Sequence, residues 1–279
     1  MTRKILGLAC AALLGSAVPA AAQTSIQAAS DVGFAPYSMA TMDGSFEGID
    51  IDIAKGMSKY SGIDIKVIQQ PWSTTFAGLK AKKFDAMWSA AAITPERAKS
   101  MAFLEGYGEA IDAVLQRASD KKIKTIDDLQ GKTIAINKGS SADAWLTERQ
   151  DKHKITISRF ETSPDAVQAV LSGQVDGYMM YQTAAGFASL KNPLLQVSDF
   201  VVKKGVSYGY AVNPDNIALR NKLDAALECM KTSGELDAIF KRWTGITPEP
   251  NGVTNTPAPG YGEPGATHYE DTPHEPTCG

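Results

Sequence analysis

From Ser25 to Trp243 the chain alternates short apolar runs with amphipathic runs of helical period, and this alternation limits the fold more than any other feature. Ile63, Ile65 and Val67 alternate as in a strand. Phe84 to Ser89, Ile111 to Gln116, Lys132 to Asn137, Ile155 to Phe160, Val175 to Met180 and Gly205 to Val212 are further strand-length runs. Between them, Ile49, Ile53, Met57 and Tyr60 fall on one helix face, with Gly62 as the stop. Thr74 to Ala81, Ser163 to Gly173, Tyr181 to Leu190, Asn216 to Lys231 and Gly234 to Trp243 also read as helices. Strands separated by helices predict an α/β protein, with mostly parallel sheets covered on both faces. One pattern occurs twice. Phe76 to Met87 and Val167 to Tyr178 each read as helix, tight turn, then a strand opening on an apolar residue and Asp (Asp85, Asp176). Two lobes of like design would produce this echo.

The stretch Ser89-Ala-Ala-Ala-Ile-Thr-Pro-Glu-Arg97 carries the clearest chemical signal. Thr94 reads as an N-cap, Pro95 as the first helical residue and Glu96 as a first-turn acid. Arg97 is then third in the helix, where the N-terminus already carries about half a positive charge. A cation there gains nothing for the helix, whereas a bound anion would use both the free N–H groups and the guanidinium. The alternative is an arginine paired with Glu96 or Glu105.

The termini differ from the middle. Arg3 and Lys4, the apolar run Ile5 to Val18 and the small residues Ala20 to Ala22 form a secretory signal peptide, residues 1–22, with cleavage near Ala22. No later run approaches the roughly 20 apolar residues of a membrane span, so a soluble, exported chain is expected. The net charge of −3 gives no basic excess and argues against nucleic acid. Residues 248–279 hold 7 of the 14 prolines and few large aliphatics, which reads as a flexible tail. His268, Asp271, His274 and Cys278 match no standard metal spacing, and no cofactor is expected. Export would let Cys229 and Cys278 form a disulfide, with two free thiols as the alternative; Cys229 is expected partly exposed.

Several stretches together resemble the periplasmic solute-binding proteins for polar amino acids, solute-binding family 3. They are Phe34-Ala-Pro-Tyr37, Gly48-Ile-Asp-Ile-Asp-Ile53, Gly78-Leu-Lys80 with Phe84-Asp-Ala86, Ile93-Thr-Pro-Glu-Arg97, Asp127 to Lys132 with Gly139-Ser140, and Val175-Asp-Gly177. The resemblance implies a type II binding-protein fold: two α/β lobes, two crossover strands and a ligand cleft closed by hinge motion. Lobe 1 would comprise 23–109 and 205–247, and lobe 2 would comprise 110–204. It implies a monomer in the periplasm, a small ligand with a carboxylate, and the permease of an ABC transporter as partner.

Position by position, Arg97 matches the family's carboxylate grip and Ser141 its partner on lobe 2, so that two helix starts face one anion. Phe34 and Trp72 match the aromatics around the ligand's side chain, both expected in loops. Asp31 and Ser89 fall in the same cleft, and Ala90 supplies a backbone carbonyl for an ammonium. The chain departs from the family where that ammonium is held: Tyr181 stands at the acid position and Ala92 at the hydroxyl position, and Ala90 to Ala92 would leave room. A plain α-amino acid is therefore not the expected ligand unless Asp31 with Tyr181, or an unmatched acid, compensates. Asp85 and Asp176 match structural acids and are not assigned to the site. The main reading is a substrate-binding component of an importer and not an enzyme. The alternatives are an accessory protein of a periplasmic quinoprotein dehydrogenase and, with Asp31 or His153 as acid or base, a cleft dehydratase.

Overall fold

The computed structural model describes residues 24–278; the expected signal peptide lies outside the described residues. Strands Ser25–Ser30, Asp64–Gln69 and Ala86–Ala92 run parallel in the first lobe, and Thr133–Asn137, Thr156–Phe160 and Gly177–Tyr181 run parallel in the second. Two strands, Gly108–Arg117 and Leu195–Val212, pass between the lobes antiparallel to each other. Each also pairs antiparallel with the nearest strand of one lobe, Ala86–Ala92 or Gly177–Tyr181. The lobes are thus joined edge to edge through a shared antiparallel pair. The 18-residue second crossover is far longer than the run Gly205 to Val212 suggests, because its lobe 2 half is mostly only partly buried and mixes polar with apolar residues.

Helices Ile49–Ser61 and Trp72–Lys80 cover the first lobe, and Ser141–Thr147, Ser163–Leu171 and Gln182–Lys191 the second. Ile217–Thr232 and Glu235–Thr244 return to the first lobe, where Leu223, Leu227 and Met230 are buried. Among the described residues no helix is long and apolar enough to cross a membrane.

The repeated pattern has a repeated cause. Asp85 accepts from the Gln27 N–H at 2.8 Å, and Asp176 accepts from the Thr133 N–H at 2.7 Å. In both lobes an acid closes the turn after a helix by capping the neighbouring strand.

The alanine run differs from expectation. Ala91 and Ala92 are fully buried in the strand Ala86–Ala92 and leave no open space, and of the three only Ala90 lines the cleft. The facing strand explains them: Tyr208 pairs with Ala92, and Tyr208 and Tyr210 are both buried, so the bulk of one strand is matched by small residues on the other.

Residues 248–278 also differ: where a flexible tail is expected, the chain is laid along the first lobe. The reason lies in Ile217–Thr232. Arg220, Asp224, Glu228 and Lys231, spaced along one face of that helix, are all buried. The tail supplies their partners. Gly262 N–H donates to Asp224, the Arg220 guanidinium donates to the His268 carbonyl at 2.8 Å, and His274 Nε2 lies 2.9 Å from Glu228. Glu105 pairs with Lys231 at 3.0 Å and accepts from the Ala258 N–H at 2.6 Å. Cys229 and Cys278 are joined by a disulfide with Cα atoms 5.5 Å apart. Cys229 is consequently buried, not partly exposed. A segment poor in large aliphatics is thus held by polar bonds and one covalent bond instead of by apolar burial.

Candidate functional site

The main cleft is lined from both lobes and from one crossover strand. Lobe 1 contributes Asp31, Phe34, Tyr37, Trp72, Ser89, Ala90 and Arg97, and lobe 2 contributes Asn137, Ser141 and Tyr181. Every residue singled out from the sequence lines it except Ala92, which is fully buried in its strand. Ala92 serves instead through its carbonyl, which accepts from Arg97 Nη1 at 2.9 Å.

Arg97 is positioned by the turn read from the sequence. The Thr94 hydroxyl accepts from the Arg97 N–H at 3.3 Å, with Pro95 at the first helical position. The helix, Pro95–Ala98, is a single turn, and Ser141–Thr147 is under two turns, so neither carries the dipole of a long helix. Any positive potential offered here therefore comes mainly from the guanidinium itself. It lies over the rings of Phe76 and Trp72, at 4.8 and 5.3 Å from their centres, which fixes its plane. Nη2 reaches across to the Gly139 carbonyl of lobe 2 at 3.2 Å. Among the described residues Arg97 forms no ion pair with an acid, and burial pushes its pKa down.

The aromatic wall is larger than the sequence suggests. Phe34 stacks on Tyr37 with centres 5.2 Å apart, and meets Tyr181 of lobe 2 at 5.9 Å. Tyr181 stacks on Tyr208, whose hydroxyl accepts from that of Tyr37 at 3.0 Å. Trp72 opens the helix Trp72–Lys80 instead of sitting in a loop, and its Nε1–H is buried without a partner. Tyr37 owes its place to Gly48, whose φ of +133 and close approach to the Tyr37 carbonyl exclude any side chain.

The acids fall into two kinds. The Asp31 N–H donates to the Ser89 hydroxyl at 3.0 Å, so Ser89 ties the first loop to the central strand. Burial raises the Asp31 carboxyl to about 6, offset in part by the Trp72 N–H. Asp50 is bonded to the Tyr107 and Tyr210 hydroxyls and is raised to about 7 by burial.

Three cleft features escape the sequence reading. Asp112, on the first crossover strand, is buried and pairs with Lys204 of the second. Lys204 Nζ also donates to the Ser141 hydroxyl at 2.7 Å. Asn137 closes lobe 2 with a buried Oδ1 that has no partner. The one available signal was Asp112 itself, a lone acid inside the apolar run Ala110-Ile-Asp-Ala-Val-Leu115. His153 lies away from the cleft, half-buried beside Asp127 at 3.4 Å.

The fold and this cleft agree with a family model that matches residues 26–246, described as bacterial extracellular solute-binding proteins, family 3. The chain belongs to that family. It is similar to the ABC transporter arginine-binding protein 1 of Escherichia coli (strain K12), at 31% identity over 243 residues, covering 85% of this chain and 98% of the relative. It is also similar to the L-cystine-binding protein TcyJ of the same organism, at 26% identity, covering 76% of this chain and 79% of the relative. Among solved structures, an ancestral arginine-binding protein bound to arginine superimposes with a TM-score of 0.74 at 26% identity, covering 79% of this chain and 98% of that one. An ancestral amino-acid-binding protein described as a precursor of cyclohexadienyl dehydratase gives 0.72 at 27% identity, covering 79% and 96%. These are type II periplasmic binding proteins, and this solute-binding protein shares their two-lobed fold.

Proposed function

We propose that this family member is exported through its N-terminal signal peptide and serves as the substrate-binding component of an ABC importer. It would close its lobes on a small carboxylate-bearing solute, an amino acid or an acid derived from one, and work as a monomer with a membrane permease. The observation that carries the reading is Arg97: a half-buried guanidinium in the cleft, aligned by two aromatic rings, turned to lobe 2 and without an acid of its own among the described residues. Phe34, Trp72 and Tyr181 would enclose the ligand's body, and Ser141 would complete the anion site from lobe 2. The named amino-acid-binding relatives favour this reading over a dehydrogenase accessory protein or a dehydratase.

A thermal-shift screen of amino acids, opines, aromatic acids and other organic acids tests it. A ligand at 100 times its Kd should add about 2.7 kcal/mol of stability. Arg97→Ala should abolish the shift for every carboxylate that gives one. Equal shifts with Arg97→Ala would remove the reading.

A further inference from the structure

An ammonium group offers three donors and a compact charge, and a protein holds one well with a carboxylate, a hydroxyl and an aromatic face. The cleft presents that set: the Asp112 carboxylate, the Ser141 hydroxyl and the Tyr181 ring. The set is already engaged. Lys204 Nζ contacts Asp112, lies 2.7 Å from Ser141 Oγ and sits 5.9 Å from the Tyr181 ring centre. Strand register places it there. Tyr181 pairs with Asp112 and Asp112 with Val202, so Lys204, two residues beyond Val202, shares their face and reaches back diagonally.

We propose that Lys204 is a specificity-determining residue whose own ammonium takes the place of a ligand ammonium, so that the solute is a carboxylate without a free α-ammonium: an α-hydroxy acid, an α-oxo acid or an N-acylated amino acid. This deepens the importer reading and rests on it. Charge balance leads the same way. Lys204 and Asp112 cancel, which leaves Arg97 without an acid partner among the described residues. A bare carboxylate neutralises Arg97. An added ammonium would be a further buried cation with its best counter-charge already spent, and such charges are costly to bury. Asp31 is the rival partner for that ammonium: burial raises it only to about 6, so it is mostly ionised at pH 7, and Asp31→Asn in the same titrations separates its contribution from that of Lys204.

Isothermal titration calorimetry on the wild-type protein at pH 7 decides between them, using pairs that differ only at the α-nitrogen: L-phenylalanine against L-phenyllactate, L-leucine against its α-hydroxy analogue, and L-arginine against N-acetyl-L-arginine. The expected result is at least tenfold tighter binding of the ammonium-free member of any pair that binds. Lys204→Met, which frees Asp112 and Ser141, should invert that preference, and Lys204→Arg should preserve it. A gain of amino-acid binding cannot arise from misfolding, and if Lys204→Met fails to fold the wild-type pairs decide alone. Wild-type binding of the free amino acid as tightly as its partner overturns the inference while leaving the importer reading intact, as does an unchanged preference in a folded Lys204→Met. The importer reading fails differently: no carboxylate binds, or Arg97→Ala binds them all unchanged, and the inference then falls with it.

Discussion

The cleft and the tail-covered back of the first lobe both bury charge, yet they treat it in opposite ways. Under the tail, Glu105, Asp224, Glu228, Arg220 and Lys231 meet side-chain or backbone partners, several supplied by the tail. In the cleft, Arg97 rests on two carbonyls, Trp72 Nε1 has no partner, and Asn137 Oδ1 has none. In the first region the chain itself supplies most of the partners, although single atoms such as Glu105 Oε1 and Arg220 Nη2 lack a hydrogen bond, and the region contributes to stability. The other is left open at defined atoms, which is what a site that gains partners from a ligand requires.

The largest effect expected from breaking this contrast is on the tail. Replacing both cysteines, Cys229→Ser with Cys278→Ser, opens a loop spanning 49 residues and should cost about 4 kcal/mol by chain entropy. Calorimetry should show a Tm lower by roughly 10 °C, with carboxylate affinity unchanged. Loss of affinity would show that the tail shapes the cleft after all.

The reverse case comes next. Arg97→Lys keeps the charge but loses the fork and the stacked plane, so binding should weaken by about 1.5–3 kcal/mol, roughly 10- to 150-fold. The Tm of the unliganded protein should hardly move, and a large drop would mean that Arg97 is structural.

A third test uses pH. Burial raises Glu105 and Glu228 to about 7 and Asp224 to about 6. For an acid raised on folding, the folded state keeps a proton that the unfolded chain has released. That contribution is fully present below about pH 4 and is lost as pH rises to about 7. The protein should therefore melt higher at pH 5.5 than at pH 8, and Glu228→Gln should flatten the profile. A Tm that rises toward pH 8 would contradict the buried cluster. Asp31 and Asp50 in the cleft act with the same sign.

The smallest effect should come from Trp72→Phe. It keeps a ring beside Arg97 and removes the unpartnered indole N–H together with part of the ring's volume, so Trp72 replaced by a large ring without that N–H, as in 3-benzothienylalanine, serves as the control. A loss of binding below tenfold is expected by calorimetry, and a larger one would identify that N–H as a ligand contact.

Local rules made much of this legible in advance. Thr94-Pro95 set the turn that aims Arg97, and the helix and strand periods gave the α/β layering, because caps and periodicity act within a few residues. The echo of Asp85 and Asp176 was readable for the same reason. Ala91 and Ala92 misled because their size answers to the strand that carries Tyr208 and Tyr210, more than 115 residues away. Lys204 escaped the sequence reading because only the strand register turns it back toward Asp112 and Ser141. The stripe Arg220, Asp224, Glu228, Lys231 has the spacing of a solvated helix face. It is buried because 31 residues of proline-rich chain return over it, and composition alone gives no hint of that return. The sequence by itself determined most of the strands and helices and which arginine a capped turn would present to the cleft. Tertiary structure alone decided which charges are satisfied internally and which are left for a ligand, because pairing across lobes and crossovers is set by three-dimensional proximity, which spacing along the chain does not encode.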